Sequence, residues 1–353
     1  MWTPPLSTWV WLDNVDIHRG LGWSARLQRV SVTDQRSRIV QAHQAAEATG
    51  VGVSVPATSA NLGPGYDSFG VALDIPLVAV CGARQDQRVV ARGEGAGELP
   101  DGDDNLVWRA VLAWCGFAGT APPDVSIHVD SAIPLERGLG SSSAAAVAGL
   151  LLGRALTGGS ATITQLLGLA TDLEGHADNA AAALVGGLVA CTPDGLFDRF
   201  EPSPALRPIA LVPTQRQSTA VARAALPTQV SLGAAAANIA HATSTFAGLT
   251  GLVPLRTAAM VDLLHEPVRL PLMPTSRALV EGLRAADVPA ALSGAGPTVL
   301  AVIPDSDADV AARVRHVVRQ VAVQPGQLEV VTTAWQLGGA TVCPPGATLG
   351  PAD

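Results

Sequence analysis

The chain has 353 residues, room for two domains of ordinary size. With 48% hydrophobic and 15% charged residues it excludes a disordered polymer and fits a packed globular protein. A net charge of −8 argues against nucleic acid as a partner, no run is long enough to span a membrane, and none of the 22 basic side chains is a lysine. The absence of lysine rules out a Walker-A lysine, a Schiff base and a lysine general base. Any bound phosphate must therefore be held by backbone amides, hydroxyls, a metal ion and arginines. Cys81, Cys115, Cys191 and Cys343 show neither CxxC spacing nor a disulfide-dense pattern, which points to a reducing, cytoplasmic setting without a zinc site.

Residues 1–50 carry four of the seven tryptophans (Trp2, Trp9, Trp11, Trp23) without period-2 or period-3.6 order, and lack the layout of a signal peptide. They are expected to be a poorly ordered extension outside the catalytic unit. Alternation predicts a strand over 51–56, followed by a turn-rich segment over 57–70. Strands over 71–80 and 87–92 read as a hairpin. A polar loop over 94–105 precedes a helix over 106–117, and a further strand covers 125–129. The alanine-rich run after Ser143 is a packed helix. A second amphipathic helix covers 164–173, with Thr162 or Thr164 as its cap, before strand character returns over 184–191.

Prolines cluster over 202–208, so the first domain is expected over 51–203, the second over 204–340, and a tail over 341–353. The second domain reads as a strand over 209–212, helices over 219–225, 234–250, 256–264 and 276–286, a strand over 298–303, a helix over 307–320 and a strand over 327–334. Strands and helices mix without a strict βαβα rhythm, so the fold class is α+β.

Several stretches carry chemistry. Thr58 to Gly70, TSANLGPGYDSFG, leaves a strand with Asn61 and Asp67 among glycines; it reads either as a ligand loop or as a tight turn satisfying its own backbone. Pro134 to Gly149, PLERGLGSSSAAAVAG, is a glycine turn opening onto a helix. It reads as an anion cradle or as a plain serine-capped helix. Glu174, His176, Asp178 and Asn179 fall within six positions, and Glu174 suits Mg²⁺, which prefers oxygen ligands. Arg223 and Arg269 would define a carboxylate if they converge; singly, each is more ordinarily a surface ion-pair partner. Ser293-Gly294-Ala295-Gly296 is a second flexible glycine loop.

Taken together, these motifs resemble the GHMP kinases over about residues 53–334: the 58–70 loop, P-x-x-x-G-L-G-S-S at 134–142 and SGAGP at 293–297, in that order. Within the family, TSANLGPGYDSFG, EGHADN, the Arg223 segment and EPVR at 266–269 are similar to the branch that phosphorylates L-homoserine. The resemblance implies an N-terminal domain like ribosomal protein S5 domain 2, with a left-handed crossover, and a ferredoxin-like C-terminal domain, the nucleotide lying between them. It implies that Pro134, Arg137, Gly138, Leu139, Gly140, Ser141, Ser142 and Ser143 bind ATP, with Asn105 near the adenine. Ser142 and Glu174 would hold Mg²⁺. Asn61, Asp67, His176, Thr219, Arg223, Arg269 and Gly294 would form the amino-acid site, with Asn61, Asp67, Ser142, Glu174 and Asn179 at the reacting centre. The implied reaction passes the γ-phosphoryl group of ATP to the homoserine hydroxyl, giving O-phospho-L-homoserine for threonine synthesis, without a dedicated general base. A homodimer is left open. Tyr66 stands where the family often has phenylalanine, and Ser143 where alanine is common. The alternatives are kinases of threonine or shikimate, or a catalytically silent regulator; the intact Glu174 and serines speak against the last.

Overall fold

The computed structural model describes residues 51–343 apart from Val323 and Pro325; the expected extension over 1–50 lies outside the described residues. The first domain is built on a mixed sheet of β1 (Gly52–Ala60), β2 (Phe69–Ala83), β3 (Val89–Gly93), β4 (Val125–Ser131), β5 (Leu188–Cys191) and β6 (Phe197–Phe200). Four helices cover it: α1 (Leu106–Ala118), α2 (Ser141–Thr157), α3 (Ile163–Glu174) and α4 (Asp178–Val185).

Several expectations are corrected here. The first strand runs on to Ala60, because a register shift between Pro56 and Ala57 lets Pro56 sit opposite Pro76 without ending the ladder. The 71–80 and 87–92 strands do not form a hairpin, since β4 lies between them, antiparallel to β2 and parallel to β3. Parallel neighbours need a crossover, and α1 supplies it. The segment before β5 is a helix, α4, whose alanines pack inward on every side and so carry no amphipathic signature. Gly186 and Gly187, both at positive φ, end it. The Thr192–Leu196 turn returns the chain as β6, a hairpin partner of β5 that sequence reading missed.

The second domain holds a four-stranded antiparallel sheet in which β7 (Leu206–Pro213) and β9 (Val299–Pro304) are central. β8 (Ala290–Leu292) and β10 (Leu328–Thr332) form its edges. Alternation along the central strands divides their side chains between two cores. Ile209, Leu211, Val299, Ala301 and Ile303 pack with α8 (Pro274–Ala285) and α9 (Ala308–Val321), whereas Ala210, Val212, Leu300 and Val302 join the core of the first domain. The small sheet is thus buried on both faces and fixes one domain against the other.

Two further helices precede it in space: α5 (Thr219–Ala224) and α6 (Leu232–Leu249). The helix expected over 256–264 is only a 3₁₀ turn, Thr257–Met260. Asp262 ends it by accepting the backbone N–H groups of Leu264 (3.0 Å), His265 (2.6 Å) and Glu266 (2.8 Å), which starts the short α7 (Glu266–Arg269). The expected tail also needs correction. Thr341–Cys343 forms β11, antiparallel to β1, so the chain ends its described course in the first domain's sheet.

Candidate active site

A cleft of about 280 Å³ lies between the domains, lined by residues 134–143, His176, Asn179, Gln217 to Ala220, Gly294 and Ala295. Its floor is the start of α2. Gly140 is the N-cap residue, in the left-handed region at φ +70°, and offers no side chain to the free amides of the first turn. Those amides and the helix dipole therefore remain available to an anion. Gly138, at φ +77°, lies so close to the 293–296 loop that a Cβ would collide with the Ser293 carbonyl; one at Gly140 would collide with Thr58 Oγ1. Thr58 N–H donates to the Leu139 carbonyl, and Ser293 Oγ to the Gly138 carbonyl, at 3.0 and 2.7 Å. The cradle is thus held by β1 on one side and the second glycine loop on the other.

Ser142 Oγ donates to Glu174 Oε2 at 2.5 Å and Ser143 Oγ to the same oxygen at 3.0 Å. One carboxylate flanked by two hydroxyls at the mouth of an anion site fits Mg²⁺, which takes few protein oxygens and completes its shell with phosphates and water. Among the described residues no cluster of three or more His, Cys, Asp or Glu forms a cage for a metal. Ser143, read only as part of the loop, turns out to hold Glu174 in place.

A smaller pocket of about 20 Å³ adjoins the cleft and shares His176, Asn179, Thr219, Gly294 and Ala295 with it. Ala60, Asn61, Asp67, Asp178, Arg223 and Arg269 complete its lining. The loop after β1 folds tightly because Asn61, Leu62 and Asp67 all take positive φ. Asn61 closes it, accepting Asp67 N–H at 3.1 Å and donating to the Gly294 carbonyl at 2.8 Å. Arg223, on α5, binds Asp67 through two hydrogen bonds and reaches the Tyr66 hydroxyl at 3.3 Å. Arg269, at the end of α7 and buried, donates to the carbonyls of Ala222 and Gly294, both at 3.2 Å. Burial and the nearby Arg223 act against its charge, while Tyr66, Asp67 and Asp262 support it.

Asp178, buried at the start of α4, is the polar hub of the pocket it lines. Its Oδ1 lies 3.1 Å from His176 Nδ1 and accepts Asn179 N–H at 2.7 Å; Thr58 Oγ1 donates to Asn179 Oδ1 at 2.7 Å. The hydrogen bond to Asp178 raises the His176 pKa against the opposing effect of burial. Through Oδ1, Asp178 orients His176 and Asn179.

The structure brings together every site residue predicted from sequence except Asn105. That residue is the N-cap of α1: it accepts Val107 N–H at 2.9 Å, donates to the Pro100 carbonyl at 2.7 Å, and lines neither cavity. Sequence reasoning missed Thr58, His265 and Glu266. Glu266 accepts Arg284 Nη2 at 2.7 Å and Leu292 N–H at 2.8 Å, anchoring the strand that feeds the second glycine loop. The signal was a Glu and a His side by side in an otherwise apolar stretch.

Two family models match the chain: the N-terminal domain of GHMP kinases over residues 105–187 and their C-terminal domain over 252–321. The chain is 42% identical over 273 residues to the homoserine kinase of Streptomyces avermitilis, spanning 75% of this chain and 90% of that protein. It is 40% identical over 254 residues to the homoserine kinase of Moorella thermoacetica, spanning 70% and 86%. The crystal structure of homoserine kinase from Cytophaga hutchinsonii superposes with a TM-score of 0.72 at 26% identity, covering 83% of this chain and 97% of that one. With its two-domain α+β architecture, paired glycine loops and sequence relatives in agreement, the chain belongs to the homoserine kinases of the GHMP kinase family.

Proposed function

We propose that the protein transfers the γ-phosphoryl group of ATP to the side-chain hydroxyl of L-homoserine, giving O-phospho-L-homoserine and ADP for threonine synthesis. The observation that carries this reading is a shared wall: an anion cradle at the start of α2 adjoins a pocket lined by two guanidiniums, Arg223 and Arg269, and two carboxylates, Asp67 and Asp178. With Asp178 bonded to His176 and Asn179, the arginines suit the carboxylate of an amino acid and Asp67 its ammonium. Shikimate lacks the ammonium and would leave Asp67 without a partner.

In this reading the amides of residues 141–143 and the α2 dipole bind the phosphates. Ser142 and Glu174 would hold Mg²⁺, which supplies charge neutralisation on the phosphates when bound. Arg223 and Arg269 take the α-carboxylate, and Asp67 the ammonium. The homoserine hydroxyl oxygen attacks the γ-phosphorus as the bond to the β–γ bridging oxygen breaks, and the hydroxyl proton passes to an oxygen of the transferred phosphoryl group and from there to solvent. Such a transfer depends on alignment and charge stabilisation more than on prior deprotonation of the nucleophile. Asp178, already accepting from His176 and Asn179, is left with an orienting role. ATP as donor and the absence of a disulfide-type cysteine pattern fit work in the cytoplasm.

The test is a coupled assay of ADP formation with L-homoserine, L-threonine and shikimate side by side. Turnover is expected with L-homoserine well above the other two. Turnover with shikimate or threonine but not homoserine overturns the assignment.

A further inference from the structure

Arg223 and Arg269 come from separate helices and repel each other, yet both face the same small pocket. One side chain touches both. The Tyr66 hydroxyl accepts from Arg223 Nη1 at 3.3 Å, and the Arg269 guanidinium lies over the Tyr66 ring, 5.6 Å from its centroid. A phenol can serve two cations at once, because its oxygen accepts in the ring plane while the π face is negative.

The ring is itself braced. It packs on the buried His265 ring, with centroids 5.5 Å apart. His265 is fixed at both nitrogens: Nε2 lies 3.0 Å from the Gly63 carbonyl, and Nδ1 lies 3.4 Å from Arg269 Nη1. A carbonyl accepts and a guanidinium donates, so His265 is the neutral tautomer with its hydrogen on Nε2. Burial, which lowers the His265 pKa, favours the same state. Burial also raises the Tyr66 pKa, and the neighbouring Asp67 adds to the rise, so the phenol stays neutral at ordinary pH.

From this geometry we infer that Tyr66 is a positioning residue that sets the two guanidiniums of the acceptor pocket side by side for a single carboxylate. The inference rests on the amino-acid acceptor reading above. It divides Tyr66 into two separable parts: the hydroxyl acts on Arg223, and the ring on Arg269. Tyr66 does not line the nucleotide cleft.

Tyr66 is also the only tyrosine in the chain, so 3-fluorotyrosine incorporation places one ¹⁹F probe at this site and nowhere else. The experiment combines that probe with the kinetics of Tyr66→Phe and Tyr66→Leu. Loss of the hydroxyl alone should raise KM for L-homoserine roughly fivefold. Loss of hydroxyl and ring should raise it roughly thirtyfold or more, with KM for ATP within about twofold in both variants. The single ¹⁹F resonance of the wild type should shift on titration with L-homoserine and stay in place with a non-hydrolysable ATP analogue. An unchanged homoserine KM in Tyr66→Leu, equal rises for both substrates, or a resonance indifferent to homoserine overturns the role. The ¹⁹F titration decides the matter if Tyr66→Leu does not fold. A wild type that fails to phosphorylate homoserine overturns the acceptor assignment and this role with it. An active wild type with an indifferent Tyr66 overturns the role alone.

Discussion

Arg223 lies on Asp67 through two hydrogen bonds, 2.9 Å from Nη1 and 3.1 Å from Nη2, joining residues 156 positions apart. One of the pocket's two guanidiniums is thus neutralised by its own carboxylate, and the open volume beside the pair is about 20 Å³. A ligand that opens the pair must offer an anion to Arg223 and a cation to Asp67 together; a ligand with one charge leaves the other partner stranded. Accordingly 4-hydroxybutyrate, which has the carboxylate and hydroxyl of homoserine but no ammonium, should be phosphorylated with kcat/KM about 100-fold lower. Equal efficiencies for the two compounds would falsify the exchange of charges.

Arg223→Ala and Arg269→Ala should each raise KM for homoserine by about tenfold or more while KM for ATP moves less than about twofold. Initial-rate series in each substrate check this. A parallel rise in both constants would mean that the arginines serve the nucleotide or the domain arrangement instead.

Glu174 accepts from Ser142 and Ser143 at the lip of the cradle. Glu174→Gln keeps the size and removes the charge, so kcat should fall by about 100-fold and the Mg²⁺ concentration for half-maximal rate should rise. Activity measured across a Mg²⁺ series decides the point. A drop in kcat with an unmoved Mg²⁺ dependence would assign Glu174 to the serines alone.

The His176 pKa is raised above its ordinary 6.5 chiefly by the hydrogen bond to Asp178; burial opposes the shift, and Glu174 and Arg223 act in opposite senses. A histidine whose folded pKa exceeds its unfolded value binds more protons when folded. Its contribution to stability is therefore complete below about pH 6.5 and is lost as pH rises through the folded value. The melting-temperature gap between wild type and His176→Gln should thus be wider at pH 5.5 than at pH 8.5. Melts at both pH values check it, and a gap that widens toward alkaline pH contradicts the assignment.

Glu266 is buried and bound to Arg284 and to Leu292 N–H. Glu266→Ala removes the carboxylate from Arg284, leaving it only the Ala290 and Met260 carbonyls, and the acceptor from Leu292 N–H, and should cost about 3–5 kcal/mol in denaturant unfolding. A loss under about 1 kcal/mol would show that water replaces the carboxylate at no great expense.

What could be read from the sequence was local. The serine loop was legible because glycine spacing, hydroxyls and a helix start all fall within ten residues; the serine cap was not, since Gly140 is the N-cap residue and the Ser142 and Ser143 hydroxyls turn to Glu174, leaving the first-turn amides free. Single helices with one polar face, such as α9, were legible for the same reason. Pairings were not. Alternation marks β3 as a strand but does not say that β4, more than thirty residues on, will lie between it and β2. Nor does composition show α4 as a helix, since burial on all sides erases the polar stripe that marks most helices. Arg223 and Arg269 were found one at a time; that they converge, and on Tyr66, depends on α5 and α7 meeting the 58–70 loop from the other domain. Asn105 is a polar residue in the same kind of loop whose amide bonds the backbone and which lies outside both cavities.

The return of β11 to β1 affects how the molecule is made. β1 and β11 are the first and last strands of the described chain, with the whole second domain between them. During synthesis the sheet that bears the phosphate cradle has an open edge at β1 until the last strand leaves the ribosome. An exposed strand edge invites pairing with other chains, and among the described strands the one that covers this edge is the last to be made. Closure of that edge also ties the second domain in at both ends, so it is an insertion within the first domain's sheet, linked by two crossings instead of one.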